Sequence, residues 1–155
     1  MTVLVTGCDV VDVARVAGVA ERREGFVARV FTDREVADCT RGGVALTSST
    51  GRARLAARFA AKEAARKALG DLRLPFHDVE VRRAPTGAPQ LWVRGTPSTL
   101  ACSLSHDGGV ALATVVGVLE GHGPAVTSLC DPSAVTSPSD PSADRPSADP
   151  SADRG

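Results

Sequence analysis

The amino-acid sequence predicts an α+β fold in which a mostly antiparallel sheet packs against one long helix. Three observations support this prediction: a β-branched apolar run near the N-terminus, an alanine-rich segment in the middle, and alternating apolar runs in the second half. The predicted order is strand, helices, hairpin and strands, which lacks the regular strand–helix alternation of a parallel sheet. A chain of 155 residues is expected to form one domain.

The elements of the first half are bounded by turn and cap signals. Thr2–Thr6 is β-branched and apolar and predicts a buried strand, after which Gly7 permits a turn. A first helix is predicted within Asp12–Gly25. The sequence FTDRE matches a capping box and opens a second helix over Asp33–Cys39. The composition of Thr40–Gly51 is that of a loop.

The second half contains a long helix followed by strands. The helix is predicted from Arg54 to Leu69, with Gly70 as an ordinary residue after its C-terminus. Two alternating runs then flank PTGAP, which predicts a β-hairpin with a glycine-containing loop. The predicted strands are Val79–Arg83 and Gln90–Arg94 in the hairpin, and Ser103–Ser105 and Val110–Val116 after it.

The C-terminal segment, 121–155, is predicted to be a disordered tail rich in proline, serine and aspartate. The unit PSAD occurs three times there, and the segment has almost no apolar surface to offset its chain entropy. The folded domain is accordingly predicted to cover residues 1–120.

The composition excludes several classes of function. Acids and bases balance at 18 each, which argues against a general nucleic-acid or membrane-surface binder. The N-terminus lacks a basic leader, and no apolar run approaches the ~20 residues that span a bilayer. The four cysteines form no C-x-x-C pair, so they are expected to be reduced and to bind no zinc. A cytoplasmic protein without nucleic-acid or membrane partners is expected.

The long helix has no clean polar face. Its alanines gather on one side and suit close packing against a sheet, while Leu55 and Phe59 lie among basic residues on the other side. Glu63 is the single acid of this helix. It could form an ordinary i,i+4 pair with Lys67, or it could be a Mg²⁺ ligand in a cleft whose basic residues bind phosphates. Asp9 could supply a second carboxylate, or it could be only a turn aspartate.

Three separated segments resemble the holo-acyl-carrier-protein synthase family. They are GCDVVDVAR (7–15), RFAAKEAARKALG (58–70) and SLSHD (103–107). Between them, FVARVFTDRE (26–35) and DVEVRRAPTGAPQL (78–91) also fit, so the resemblance spans about residues 3–117. It implies a Mg²⁺-dependent 4′-phosphopantetheinyl transferase. Such an enzyme moves the phosphopantetheine arm of coenzyme A to a serine of an apo carrier protein, and adenosine 3′,5′-bisphosphate is the other product.

The resemblance also implies roles for individual residues. Asp9 and Glu63 match the metal ligands, and Lys62 and Lys67 match basic positions that we assign to phosphate binding. Arg58 is a candidate for the 3′-phosphate of coenzyme A. The remaining matches are Ser105 and His106 in the closing motif, and Gly87 and Pro89 beside the nucleotide. His106 could contact phosphate or nucleotide, or help remove the serine proton, and a metal-activated water is an alternative base.

The implied partner is an acidic apo acyl carrier protein, which could serve fatty-acid synthesis or a secondary-metabolite pathway. Arg15 matches a family position and would contact this carrier together with nearby basic residues, namely Arg22, Arg23 and Arg29. The family is typically a homotrimer with sites between protomers. His77 and His122 match no motif and are expected to be surface residues.

The chain departs from the family pattern in two places. Only GTPSTLA (95–101) separates the hairpin from the closing motif, where a helix is usual, and DLRLPFH after Gly70 lacks the usual glycine-rich loop. The main alternative is therefore a degenerate, non-catalytic module that binds coenzyme A or a carrier protein. A small scaffold with a merely salt-bridged helix is a third option.

Overall fold

A computed structural model describes residues 2–120, so the predicted tail and His122 lie outside the described residues. The helices are α1 (Val13–Arg22), α2 (Phe26–Val30), α3 (Asp33–Thr40) and α4 (Ser49–Ala68). The strands are β1 (Thr2–Asp12), β2 (Val79–Arg83), β3 (Pro89–Val93), β4 (Thr96–Pro97), β5 (Ala101–Asp107) and β6 (Val110–Glu120). The predicted α+β class is confirmed. Within 2–120, no helix has the length and apolarity to cross a membrane, and the cytoplasmic location stays a prediction.

The strands form two antiparallel sheets. The larger sheet has the order β1-β6-β5, and its register pairs Thr2 with Glu120 and Asp12 with Val110. The smaller sheet has the order β2-β3-β4 and contains the predicted hairpin. Segment 95–101, where the resemblance leads one to expect a helix, instead contributes the short strand β4 to this sheet.

Helix α4 packs on one face of the larger sheet through its alanines. Ala56, Ala60, Ala61, Ala64 and Ala65 are completely buried, and so are Ala111 and Ala113 of β6. Small side chains on both sides allow the helix and the strands to approach closely. The core at this contact is therefore built mainly from alanine and valine, with leucines around it.

The prediction of a turn at Gly7 was wrong. Strand β1 continues through Gly7 to Asp12 and pairs with β6 along its whole length. A Cβ atom at residue 7 would lie 2.0 Å from the backbone oxygen of Ala64. This glycine is thus required by the close passage of α4 over β1, so Asp9 lies within the strand instead of after it.

The helix caps follow the sequence signals, although two boundaries differ. The capping box of α3 is present, with Thr32 and Glu35 as its two members. The helix predicted within Asp12–Gly25 is α1, which has Asp12 as its cap and ends at Arg22, and the short helix α2 that follows this range was not predicted. Helix α4 begins at Ser49, five residues before the predicted Arg54, because the Ser48 hydroxyl accepts a hydrogen bond from the Gly51 N–H.

A second hydrophobic cluster covers the mixed face of α4. All four phenylalanines of the chain belong to it, and the Phe59 and Phe76 rings stack with centroids 5.4 Å apart. Leu55 is 2% exposed in the same cluster. This cluster explains why the helix carries large apolar residues on two sides.

Candidate active site

Strand β1 and helix α4 bring Asp9 and Lys67 into direct contact. Val5, Gly7 and Val11 are the buried residues of β1, and Asp9 shares their side of the strand because side chains alternate. The Lys67 ammonium lies 2.8 Å from Asp9 Oδ1 and 2.9 Å from the Cys8 carbonyl oxygen. The Asp9 side chain is 16% exposed, so its carboxylate remains open to a ligand.

Glu63 lies one helical turn before Lys67 and therefore on the same flank of α4. Arg66 Nη1 donates to Glu63 Oε1 at 3.2 Å. The Arg66 guanidinium also donates to the Leu72 carbonyl and lies 4.5 Å from the centroid of the Phe76 ring. Glu63 is thus held by a side chain that is itself fixed, which favours a defined position for its carboxylate.

The donor set on this flank suits a hard divalent cation. In the described residues no group of three His, Cys, Asp or Glu side chains is assembled for a metal ion. Mg²⁺ commonly uses one or two carboxylates and takes its other ligands from substrate phosphates and water. The Lys67 ammonium beside Asp9 occupies the kind of position that such a cation takes. Asp9 and Glu63 therefore fit a Mg²⁺ that a substrate helps to bind.

A basic cavity lies on the other flank of α4. Its volume is about 260 Å³, and it is enclosed by α3, α4, the β2–β3 hairpin and β5. We call it the arginine cavity, after Arg41, Arg54, Arg58, Arg82 and Arg83 in its wall. Asp38 is the only acid among its lining residues, so the cavity carries a positive charge and suits a phosphorylated ligand.

Several of these arginines are held by neighbours. Arg58 lies 3.5 Å from the Asp38 carboxylate, and Arg54 donates to the carbonyl oxygens of Cys39 and Arg41, each at 3.1 Å. Arg82 stacks 3.5 Å from the centroid of the Trp92 ring, and its Nε donates to Glu80 at 2.6 Å. These contacts fix guanidinium groups before a ligand arrives, which reduces the entropy cost of binding.

The hairpin loop gives the cavity its shape. Gly87 has φ +92°, and a Cβ atom there would lie 2.7 Å from Arg83 Nη2. Pro89 begins β3 and also lines the cavity. The structure thus brings together Arg58, Gly87 and Pro89, all of which were predicted to bind the cofactor.

His106 and Ser105 lie on opposite faces of β5. His106 pairs with Ala111, which is buried under α4, and Leu104 on the same face lines the arginine cavity. His106 therefore belongs to the cavity side of the molecule. Ser105 pairs with the exposed Leu112 and faces away from α4, so within one chain it joins neither group of site residues.

The structure contradicts the assignment of Lys62 to phosphate binding. Its side chain is completely buried, and its ammonium lies 2.8 Å from Glu35 Oε2. It also donates to the carbonyl oxygens of Phe76 and Val79. Burial lowers the pKa of Lys62, against the opposing effect of the Glu35 carboxylate. No ligand from solvent reaches this ammonium, so Lys62 is part of the interior.

The predicted site residues fall into two groups on opposite flanks of α4. Lys67 contacts Asp9 of β1, whereas Arg58 contacts Asp38 of α3. Lys67 lies nine positions after Arg58, which places the two residues about 180° apart around the helix axis. One chain therefore presents the carboxylate flank and the arginine cavity in different directions.

Sequence reasoning missed part of the cavity. Arg41, Arg54, Arg82 and Arg83 line it, but none was singled out. The pair Arg82–Arg83 directly before the glycine-containing hairpin loop was an available signal. Arg41 and Arg54 carried no such signal, because their meeting with the hairpin depends on tertiary packing.

The surface of α1 and α2 is basic. Arg15, Arg22, Arg23 and Arg29 are all exposed. Glu21 and Glu24 lie among them, and Glu21 forms an ion pair with Arg52. The described histidine outside the motifs, His77, is exposed, as predicted, and its Nε2 atom lies 2.5 Å from the Ala28 carbonyl oxygen.

Comparisons with known proteins identify relatives over most of the described chain. Residues 6–116 match the family model of the 4′-phosphopantetheinyl transferase superfamily. A holo-[acyl-carrier-protein] synthase from Frankia alni is 44% identical over 126 residues, which are 75% of this chain and 98% of the relative. A protein of the same name from Anaeromyxobacter dehalogenans is 44% identical over 136 residues, which are 79% of this chain and 99% of the relative.

Solved structures of such synthases share the fold. One from Bacillus anthracis, in complex with CoA (3′,5′-ADP), has a TM-score of 0.64 and 29% identity, and the match covers 77% of this chain and all of that one. One from Helicobacter pylori, in complex with coenzyme A, has a TM-score of 0.59 and 29% identity, and the match covers 72% and 98%.

Proposed function

The chain belongs to the 4′-phosphopantetheinyl transferase superfamily as an enzyme of the holo-[acyl-carrier-protein] synthase family, and we propose that it transfers 4′-phosphopantetheine from coenzyme A to a serine of an apo acyl carrier protein. The other product is adenosine 3′,5′-bisphosphate. The observation that carries this proposal is the chemistry of the α4 flanks: Glu63 and the Asp9–Lys67 pair on one, and the arginine cavity on the other.

The reaction exchanges the phosphoanhydride bond of coenzyme A for a phosphate ester bond to the carrier serine. The carrier serine oxygen bonds to the phosphorus next to the pantetheine arm, and the bond from this phosphorus to the bridging pyrophosphate oxygen breaks. The bridging oxygen leaves with the electron pair as part of adenosine 3′,5′-bisphosphate, and the serine proton passes to a base. His106 is our candidate base, since a neutral imidazole accepts protons near pH 7, and a water molecule is the alternative.

Asp9 and Glu63 would hold a Mg²⁺ ion in this reaction. When bound, the ion supplies positive charge to the pyrophosphate and to the departing phosphate. Lys67 lies on the same flank, and its partly exposed ammonium binds a phosphate oxygen of coenzyme A. Phosphate contacts of this kind act by positioning and by electrostatic stabilisation, which supply most of the catalysis of phosphoryl transfer.

The arginine cavity would bind the nucleotide end of coenzyme A. Arg58 contacts the 3′-phosphate in our proposal, and Gly87 and Pro89 shape the backbone beside the nucleotide. A planar guanidinium can donate two parallel hydrogen bonds to a phosphate. The excess of arginines over acids in the cavity wall supports this assignment.

One coenzyme A molecule would have to reach both flanks, and α4 separates them within one chain. We therefore propose a homotrimer in which the carboxylate flank of one copy faces the arginine cavity of the next. The outward face of the larger sheet supports such an assembly. Its exposed apolar residues are Leu4, Val10, Val110, Leu112, Val116 and Val118, and contiguous apolar surface of this kind is typical of an interface. We call this surface the outer sheet face.

The carrier protein would dock on α1 and α2. The exposed arginines there, with Arg15 nearest to β1, would attract the acidic surface around the carrier's modified serine and accelerate encounter. Glu21 and Glu24 dilute this charge, which limits the attraction to partners of strongly negative surface.

The test is to combine the protein, Mg²⁺, coenzyme A and an apo acyl carrier protein, and to weigh the carrier by mass spectrometry. We expect each carrier molecule to gain one phosphopantetheine arm, and none when its serine is replaced by alanine. Binding of coenzyme A or carrier without a mass gain would favour the alternative, a non-catalytic binding module. The short segment before β5 motivates this alternative, whereas the presence of Asp9, Glu63, Lys67 and His106 argues for turnover.

A further inference from the structure

We propose that the buried pair Glu35–Lys62 positions the walls of the arginine cavity by taking the place of a neighbouring strand along the free edge of β2. This inference rests on the proposed function, because it treats the cavity as the site for the 3′-phosphate of coenzyme A. Glu35 and Lys62 do not contact the ligand in this proposal. They act through the cavity arginines and are positioning residues.

The free edge of β2 is buried and needs hydrogen-bond partners. Strand β2 pairs with β3 along one edge only. Val79 and Val81 are two residues apart, so their backbone groups point to the same edge, and both residues are buried. Lys62 donates to the Val79 carbonyl, and Glu35 Oε1 accepts from the Val81 N–H at 2.9 Å. The two side chains thus replace the donor and the acceptor that a next strand would supply.

The same pair joins the three elements that carry the cavity arginines. Glu35 lies on α3, three residues before Asp38. Lys62 lies on α4, where Arg58 and Arg54 occupy the two preceding turns of the same side. Val81, which Glu35 holds, lines the cavity and directly precedes Arg82 and Arg83. The Glu35–Lys62 pair therefore connects the walls of the cavity at points that lie within a few residues of its arginines.

Two apolar side chains could fill the volume of Glu35 and Lys62, but they could not form hydrogen bonds with the free edge of β2. Burying two charges is costly, and well-packed hydrophobic residues often replace such pairs without loss of stability. Methyl groups neither donate to the Val79 carbonyl nor accept from the Val81 N–H. The Glu35 Oε2 atom additionally accepts from the Thr32 N–H at 2.9 Å, so the pair also fixes the start of α3.

The experiment compares coenzyme A with 3′-dephospho-coenzyme A as substrates. The positioning variants are Lys62→Met and Glu35→Gln, and Glu35→Gln is the milder change because it preserves the side-chain shape. The control is Val5→Ala, which weakens the buried face of β1 away from the cavity. For each protein the ratio of kcat/KM for the two substrates is measured, together with the melting temperature and kcat at saturating coenzyme A.

We expect the wild-type enzyme to have the higher kcat/KM with coenzyme A. In both positioning variants the ratio of the two kcat/KM values should fall at least about tenfold, since small misplacements of binding groups reduce kcat/KM by such factors. Their kcat should stay within about threefold of wild type. Val5→Ala should melt at a lower temperature with its preference unchanged. Variants that melt earlier but retain the wild-type preference would overturn the positioning role alone. A wild-type enzyme without any preference would overturn the 3′-phosphate assignment itself, and the inference with it.

Discussion

Lys62 and Lys67 lie five residues apart on α4 and have opposite environments. Lys62 points between α3 and β2, where its side chain is fully buried against Glu35, whereas the Lys67 side chain is 44% exposed at the edge of β1. The sequence alone gives both the same interpretation, because both are basic residues in one motif. Only the packing partner distinguishes a lysine of the interior from a lysine that can meet a phosphate.

The two proposed metal ligands give the first prediction. Asp9→Asn and Glu63→Gln remove the negative charge that a cation needs but preserve side-chain shape, so each should lower kcat/KM by about 100-fold. Both residues are partly exposed, and the melting temperature should change little. Transfer is measured by the mass gain of the carrier over a Mg²⁺ titration.

Asp33→Asn is the matched control, because Asp33 is an exposed acid in the first turn of α3 that does not line the arginine cavity and lies outside the carboxylate flank. It should retain the wild-type rate. Wild-type rates in both Asp9→Asn and Glu63→Gln would remove these residues from the site.

The thiol of Cys102 gives a prediction of pH dependence. Burial raises its pKa to about 11 from an ordinary value of 9.0. The folded protein keeps a proton there that the unfolded chain loses above pH 9, so stability falls as the pH rises through this window. Iodoacetamide at pH 9 should label Cys102 at least about tenfold more slowly in the native protein than in denaturant, because the thiolate is the reactive form. Peptide mapping by mass spectrometry measures both rates, and equal rates would contradict the burial of this side chain.

At the scale of elements, the contact between β1 and α4 determines the candidate site. Gly7 lies against Ala64 and Ala68, and Asp9 follows two residues later on the same side of the strand. Because α4 presents alanines to β1, no layer of long side chains separates the helix from the sheet here. The carboxylate of a strand residue and that of a helix residue can then share one small region.

Gly7→Ala should therefore be strongly destabilising. The added methyl group would meet backbone atoms of α4, which cannot rotate away, so we expect a loss of about 3 kcal/mol or more in the free energy of unfolding. Gly70→Ala is the control. A Cβ atom at Gly70, which has φ +67°, would meet no atom within 4 Å, and the change should cost only about 1 kcal/mol of backbone strain. Chemical denaturation measures both, and a larger loss for Gly70→Ala would contradict the close approach.

Most elements were predictable because their signals are local. The α3 capping box, the β2–β3 hairpin and the alanine face of α4 follow from residues a few positions apart. The errors arose where tertiary contact overrides local preference. Gly7 has the composition of a turn but continues a strand under a helix, and the start of α4 was placed late because TSSTG has the composition of a loop. The ion pair of Lys62 with Glu35 joins residues 27 positions apart in the sequence, and a single sequence carries no signal for it.

At the scale of the whole molecule, the outer sheet face and the two flanks of α4 lead to one expectation. The face exposes apolar side chains such as Leu4, of which 72% is accessible. A chain that assembles through this face can also bring its carboxylate flank to a neighbour's arginine cavity. Activity should then depend on assembly.

Val116→Lys tests the interface. It places a charge in the middle of the outer sheet face, where Val116 is 47% exposed, and burying an unpaired charge between copies is costly. We expect the variant to be monomeric in analytical ultracentrifugation, with activity reduced by at least about tenfold. Leu72→Lys, at an exposed apolar residue outside both sheets, should remain trimeric and active. A monomeric wild-type protein with full activity would contradict the proposed assembly.

Mixing two inactive variants tests whether neighbouring copies share a site. Asp9→Asn impairs the carboxylate flank and Arg58→Ala the arginine cavity, so each homotrimer should have low activity at low coenzyme A concentration. In trimers reassembled from equal amounts, about one site in four combines two intact flanks if the flanks come from different copies. Recovery of about a quarter of the wild-type rate is expected. No recovery, in mixtures shown by mass to contain both variants, would place both flanks of one site in the same chain.

The alanine packing of α4 against β1 and β6 has a consequence for how the enzyme should respond to heat. Long side chains between a helix and a sheet can change rotamer and let the two layers slide, whereas methyl groups on bare main chain have no alternative rotamers. The spacing between Asp9 of β1 and Glu63 of α4 is therefore set by contacts that can hardly be compressed. Below its melting temperature the enzyme should hold this spacing constant, and the affinity of the proposed Mg²⁺ site should decline abruptly at unfolding instead of drifting gradually as the temperature rises.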